Sequence, residues 1–94
     1  MNVHLLKTDP VYFQAVVDGR KGFEVRNNDR KFEEGDVLIL AEFRQKDEYV
    51  KTGWNEGYIN PAGFTGRTLR RTVGLIVSDP SLMRDNYVAF QLEE

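Results

Sequence analysis

Apolar and polar positions change period several times along the chain. Val3-His4-Leu5-Leu6-Lys7 is a short apolar segment that suits a strand. Thr8-Asp9-Pro10 reads as a helix start, because an aspartate side chain accepts the free N–H groups of a first turn and proline's fixed φ fits there. Phe13, Val16 and Val17 then recur at helical spacing, one apolar stripe that predicts a helix to about Asp18. Gly19 stands where a left-handed C-terminal residue is best made without a Cβ.

A period of two takes over in Gly22-Phe23-Glu24-Val25-Arg26, where apolar and charged residues alternate as in a half-buried strand and Glu24 and Arg26 share one face. Asn27-Asn28-Asp29 and Gly35-Asp36 carry turn chemistry, and Val37 to Phe43 opens with a continuous apolar run expected of a central strand. From Arg44 to Gly66 no period is visible. That segment holds four of the eight glycines and reads as a long loop of the functional or disordered kind, with Tyr49, Trp54, Tyr58 and Phe64 weighing against plain disorder. Thr68 to Val77 regains strand character behind a cluster of Arg67, Arg70 and Arg71, Asp79-Pro80 turns, and Tyr87 to Leu92 alternates as a closing strand. The expected order is β, α, then four or so β. An α+β chain with one main helix after the first strand and about five short, mostly antiparallel strands removes its sheet edges best by curling into a small β-barrel.

Ninety-four residues make one core, so residues 1–94 are expected to form a single domain, monomeric or a small homo-oligomer. Opposite charges nearly balance at a formal net of −2, which argues against coating nucleic acid through bulk positive charge and leaves a local basic face open. With no cysteine and His4 as the one histidine, thiol chemistry and the usual zinc sites are excluded, and no metal or other cofactor is expected. The N-terminus lacks a basic segment leading into an apolar leader core, and no apolar run approaches a membrane span, so a cytoplasmic location with no membrane contact is the expectation.

Charge is crowded most between Gly19 and Asp36, where five basic and five acidic side chains share eighteen positions. One reading is a solvated hairpin of surface ion pairs, each worth about 0 to 1 kcal/mol. The other is a polar pocket whose cations hold an anion while its carboxylates accept donors, a mixture that suits a nucleotide better than a bare phosphate.

The run "HLLKTDPVYFQAVVDGRKGFEVRNNDRKFEEGDVLILAEF", with "FTGRTLRRTVGLIV" downstream, resembles the HxLK, GxKxFExRxxDRxFxxGD and YTGR patterns of an uncharacterised ASCH-like family, a domain of unknown function within the PUA-like superfamily. The resemblance spans nearly the whole chain. It implies a β-barrel with a helix beside a cleft, often proposed to bind RNA or a modified nucleoside, since a fold by itself hosts many functions. It places Lys21, Glu24 and Arg26 in the signature strand, Asp29 and Arg30 in the turn after it, and His4 and Lys7 in the N-terminal part. Some ASCH relatives hydrolyse acylated cytidine with a lysine and, three residues later, a threonine nucleophile. Here Lys21 is kept but Glu24 stands at the threonine position, which removes the hydroxyl that covalent catalysis needs.

The expected reading is a noncatalytic domain for RNA or a modified nucleotide. Lys7, Lys21, Arg30 and Arg67 meet phosphate, Glu24 and Glu42 accept base donors, and Trp54 or Tyr49 stacks. His4 is a further donor, or a strand histidine bonded to backbone; Thr65 belongs to the turn before Arg67; Glu42 is either a cleft acceptor opposite Lys21 or Arg26 or the first solvent-facing residue past the core. Two alternatives come from other classes: a nucleoside amidohydrolase in which Glu24 beside Lys21 activates water, and a small protein-binding adaptor.

Overall fold

The computed structural model describes residues 1–51, 53 and 57–94. Strand β1 (Val3–Thr8) alternates strictly, with His4, Leu6 and Thr8 turned inward and Val3, Leu5 and Lys7 outward. Helix α1 (Pro10–Val17) begins as the sequence predicts: Asp9 caps it by accepting the Val11 N–H at 3.0 Å, and Pro10 takes the first position. It buries Phe13, Ala15 and Val16, whereas Val17, counted in the apolar stripe, is exposed. Gly19 closes the helix at φ 75°, the left-handed conformation expected of it.

The remaining elements are β2 (Phe23–Asn27), a single 3-10 turn over Asn28–Arg30, β3 (Val37–Arg44), β4 (Glu48–Lys51), β5 (Gly57–Asn60), β6 (Gly63–Val77) and β7 (Tyr87–Glu93). Five strands form one sheet in the order β1-β3-β6-β7-β2, curled into a half-barrel. The β1–β3 pair is parallel and the other three pairs are antiparallel. On the concave side Leu6, Leu38, Leu40, Val73, Val88 and Phe90 meet Phe13 and Val16 of α1 and Phe32 of the connection before β3. Burying such side chains, at about 1.5 to 3 kcal/mol each, holds the helix on the sheet.

The expected α+β architecture, mostly strand with one helix, is thus present in coarse form. The region from Arg44 to Gly66 corrects the sequence reading: it holds a separate two-stranded sheet, β4 against β5, with Tyr49 opposite Ile59 and Val50 opposite Tyr58. The Tyr49 ring lies over Gly57, where a Cβ would come within 2.5 Å of its hydroxyl and turn the exposed ring aside. Among the described residues seven strands replace the expected five or so. Trp54, a candidate stacking residue, lies outside the described residues. Among the described residues no helix is long and apolar enough to cross a membrane.

The sheet does not close. Its two edge strands, β1 and β2, face one another across a seam that side chains bridge. Arg26 Nη2 donates to the Lys7 carbonyl at 3.0 Å, and Arg30 donates to the Leu5 carbonyl. Two guanidinium groups therefore satisfy acceptors that a neighbouring strand would otherwise take.

Candidate functional site

A cavity of about 530 Å³ opens along this seam between the end of β1, the start of α1 and strand β2. Its floor is Glu24. Although β2 reads as a strand with Phe23 and Val25 as its apolar side, the structure inverts the faces: Phe23 and Val25 are 53% and 46% exposed, and Glu24 only 4%. The reason is position. On an edge strand at the open side of a half-barrel, the inward face looks into the cleft rather than into the core, and a carboxylate is stable there only when paired.

Both Glu24 oxygens are engaged. Lys21 Nζ donates to Oε1, and Arg26 Nε donates to Oε2 at 2.8 Å. Lys21 reaches the floor from the segment after α1, where the Arg20 and Lys21 N–H groups bond back to the Ala15 carbonyl and fix the turn. Its ammonium also lies 5.6 Å from the centre of the Tyr12 ring and 5.5 Å from that of Phe23, so two aromatic faces flank one cation. Lys7 contributes its carbonyl to Arg26 and sets its ammonium 4.6 Å above the Phe43 ring.

Of the residues expected in the site, Lys7, Lys21, Glu24 and Arg26 line this cleft together. Asp29 and Arg30 line an adjoining depression of about 190 Å³, on the far side of Arg26. Glu42, Thr65 and Arg67 form a second cluster. Glu42, 5% exposed, accepts from the Thr65 hydroxyl at 2.6 Å and lies 3.5 Å from Arg67. Arg67 also donates to the Gln14 amide oxygen at 3.2 Å and stacks over the Phe13 ring. Glu42 is therefore buried rather than solvent-facing, with Thr65 and Arg67 as its partners, and the half-exposed Arg67 ties β6 to α1. In the β1–β3 register Glu42 stands opposite Thr8, which lines the cleft, so the cluster backs onto it.

His4 departs furthest from its expected place among the ligand contacts. It is buried against the Phe32 ring, and its Nε2 lies 2.8 Å from Oδ2 of Asp36. Asp36, 1% exposed, also accepts the N–H groups of Asn2 at 3.0 Å and Glu33 at 3.1 Å. Burial pushes the Asp36 carboxyl upward, but the Asn2 hydrogen bond, His4 and the Glu33 hydrogen bond together outweigh it and hold the group below its ordinary value.

Tyr12, Phe23, Thr8, Asp9 and Gln45 line the cleft without having been singled out for it. Tyr12 carried a signal: it is the aromatic residue of α1 that stands off the Phe13–Val16 stripe, next to the charged run, and it is 57% exposed. Among the described residues no group of three or more metal-ligating side chains comes together.

The chain belongs to the DUF3850 family, described as a domain of unknown function, which matches residues 3–92. It is similar to the "Uncharacterized 12.9 kDa protein in GpA 3'region" of Escherichia phage P2, at 34% identity over 88 residues, a match that covers 81% of each chain.

Proposed function

We propose that the chain binds RNA or a nucleotide in the cleft between α1 and the half-barrel. The observation that carries this reading is the Lys21–Glu24–Arg26 triad on the cleft floor with Tyr12 and Phe23 beside it. Glu24 holds two cations at fixed positions where they meet an anionic group, while the exposed aromatic faces offer stacking surface to a base. A volume near 530 Å³ falls in the range of small-molecule sites and is ample for one nucleotide. The resemblance of the GxKxFExRxxDRxFxxGD stretch to ASCH-like proteins of the PUA-like superfamily points the same way.

Hydrolysis of an acylated nucleoside has less behind it. Both oxygens of the carboxylate that would activate water already accept from cations, and the Thr8 hydroxyl, which lines the cleft, donates to the Leu6 carbonyl. The test is a titration of the purified chain with nucleoside monophosphates and short RNA, followed by calorimetry, beside Lys21→Ala. Saturable binding weakened at least tenfold by the substitution supports the cleft. Binding that ignores Lys21 refutes it, and release of acid from N-acylated nucleosides moves the assignment to the enzyme.

A further inference from the structure

We propose that the cleft is the middle of a longer groove and takes a single-stranded oligonucleotide across about three nucleotides, rather than a lone nucleotide. This deepens the nucleotide-binding reading and rests on it. Arg26 walls both the central cavity and the Arg30 depression, so the two adjoin on either side of its guanidinium, which bridges the seam to the Lys7 carbonyl. At the other end Asp9 and Gln45 are shared with a third cavity of about 260 Å³, which runs past Arg44 and Lys46 to Glu48 at the base of the β4–β5 hairpin. The three together follow the open seam from the turn after β2, across the start of α1, to the hairpin.

Each part of the groove presents its own cation: Arg30 at one end, Lys21 in the middle, Lys46 at the other. A repeating anion is what such spacing serves, and a phosphodiester chain is the repeating anion with flat groups to lay on Tyr12 and Phe23. Of the acids that share the groove, Asp9 accepts the Val11 N–H, Asp47 accepts the Ala62 N–H at 2.7 Å and Glu24 is held by Lys21 and Arg26, while Asp29 and Glu48 stand exposed at its two ends beside Arg30 and Lys46. An extended peptide is the rival occupant, since β1 is an unpaired edge. The outward carbonyls of Leu5 and Lys7 that it would pair with are, however, taken by Arg30 and Arg26.

The experiment titrates the full chain with uridylate and adenylate strands of one, two, three and six residues, and with matching thymidylates, at two salt concentrations. Affinity is expected to rise about fivefold or more with each added nucleotide up to three and then level off. Equal affinity of RNA and DNA strands supports recognition through phosphate and base face; tighter RNA supports the same groove with a contact to the 2′-hydroxyl. Lys46 is exposed and forms no hydrogen bond or ion pair among the described residues, so its loss leaves the fold intact. Lys46→Ala is expected to weaken the six-residue strand about fivefold, with a shallower salt dependence, and the mononucleotide less than twofold. Mononucleotides that bind as tightly as six-residue strands overturn the groove and leave the single-nucleotide cleft standing, as does a Lys46→Ala effect of equal size on both. No binding at any length sinks both readings together.

Discussion

Asp36 and Glu24 are both buried carboxylates, 1% and 4% exposed, and each sits against a basic side chain. Asp36 is enclosed: its partners are a buried histidine and two backbone N–H groups, all spent on it at the junction of β1 and the turn before β3. Glu24 is instead held by two long cations that remain partly exposed, with side-chain exposures of 16% and 29% for Lys21 and Arg26. Burial of an acid does not by itself mark a site. What separates the two is whether the partners keep donors to offer to something else, and an ammonium with three N–H groups and a guanidinium with five do so where two amides and an imidazole do not.

The comparison is broken most forcefully at Asp36. Asp36→Ala strands His4 and the Asn2 and Glu33 N–H groups, and should lower stability by about 3 to 5 kcal/mol. By calorimetry that is a melting temperature at least about 12 °C lower, with any ligand affinity retained in the fraction still folded. Glu24→Gln should cost only about 1 to 2 kcal/mol, because Lys21 and Arg26 stay near water. It should nevertheless weaken nucleotide binding at least tenfold, and unchanged affinity would make the triad structural. Tyr12→Ala, on the exposed face of α1, should leave urea unfolding nearly unaltered and reduce affinity about fivefold.

The smallest effect is expected in acid. The Asp36 carboxyl is held below its ordinary value near 3.8. Its contribution to stability is therefore complete above that value and is lost as pH falls through the depressed folded one. Urea midpoints followed from about pH 5 downward should decline in the parent chain and decline less in Asp36→Asn; identical slopes would remove Asp36 from the account.

Much of the fold was legible because local chemistry agreed with it. Asp9, Pro10 and Gly19 bracket a helix whose ends the structure keeps, and the apolar run from Val37 became the strand at the centre of the contacts with α1. The β4–β5 hairpin was not legible, since four-residue strands paired only with each other need no apolar face and leave no period. For the site, the charged stretch announced Lys21, Glu24 and Arg26, yet which face of β2 turned inward depended on its being an edge strand, a property of the finished sheet. His4 and Glu42 illustrate the same limit: their partners, Asp36 and Thr65 with Arg67, lie more than twenty residues away along the chain.

Every residue that lines the central cleft falls between Lys7 and Gln45, yet β2, which supplies its floor, has one backbone partner, β7, with Glu24 opposite Phe90 and Arg26 opposite Val88. The side chains of the cleft therefore come from the first half of the chain, and its floor is set in place by β7. During synthesis β2 gains its strand ladder only once Tyr87–Glu93 has emerged, and a chain cut before β7 would carry all of the cleft's side chains with the Arg26 and Arg30 bridges to β1, but no ladder, to set β2 in place.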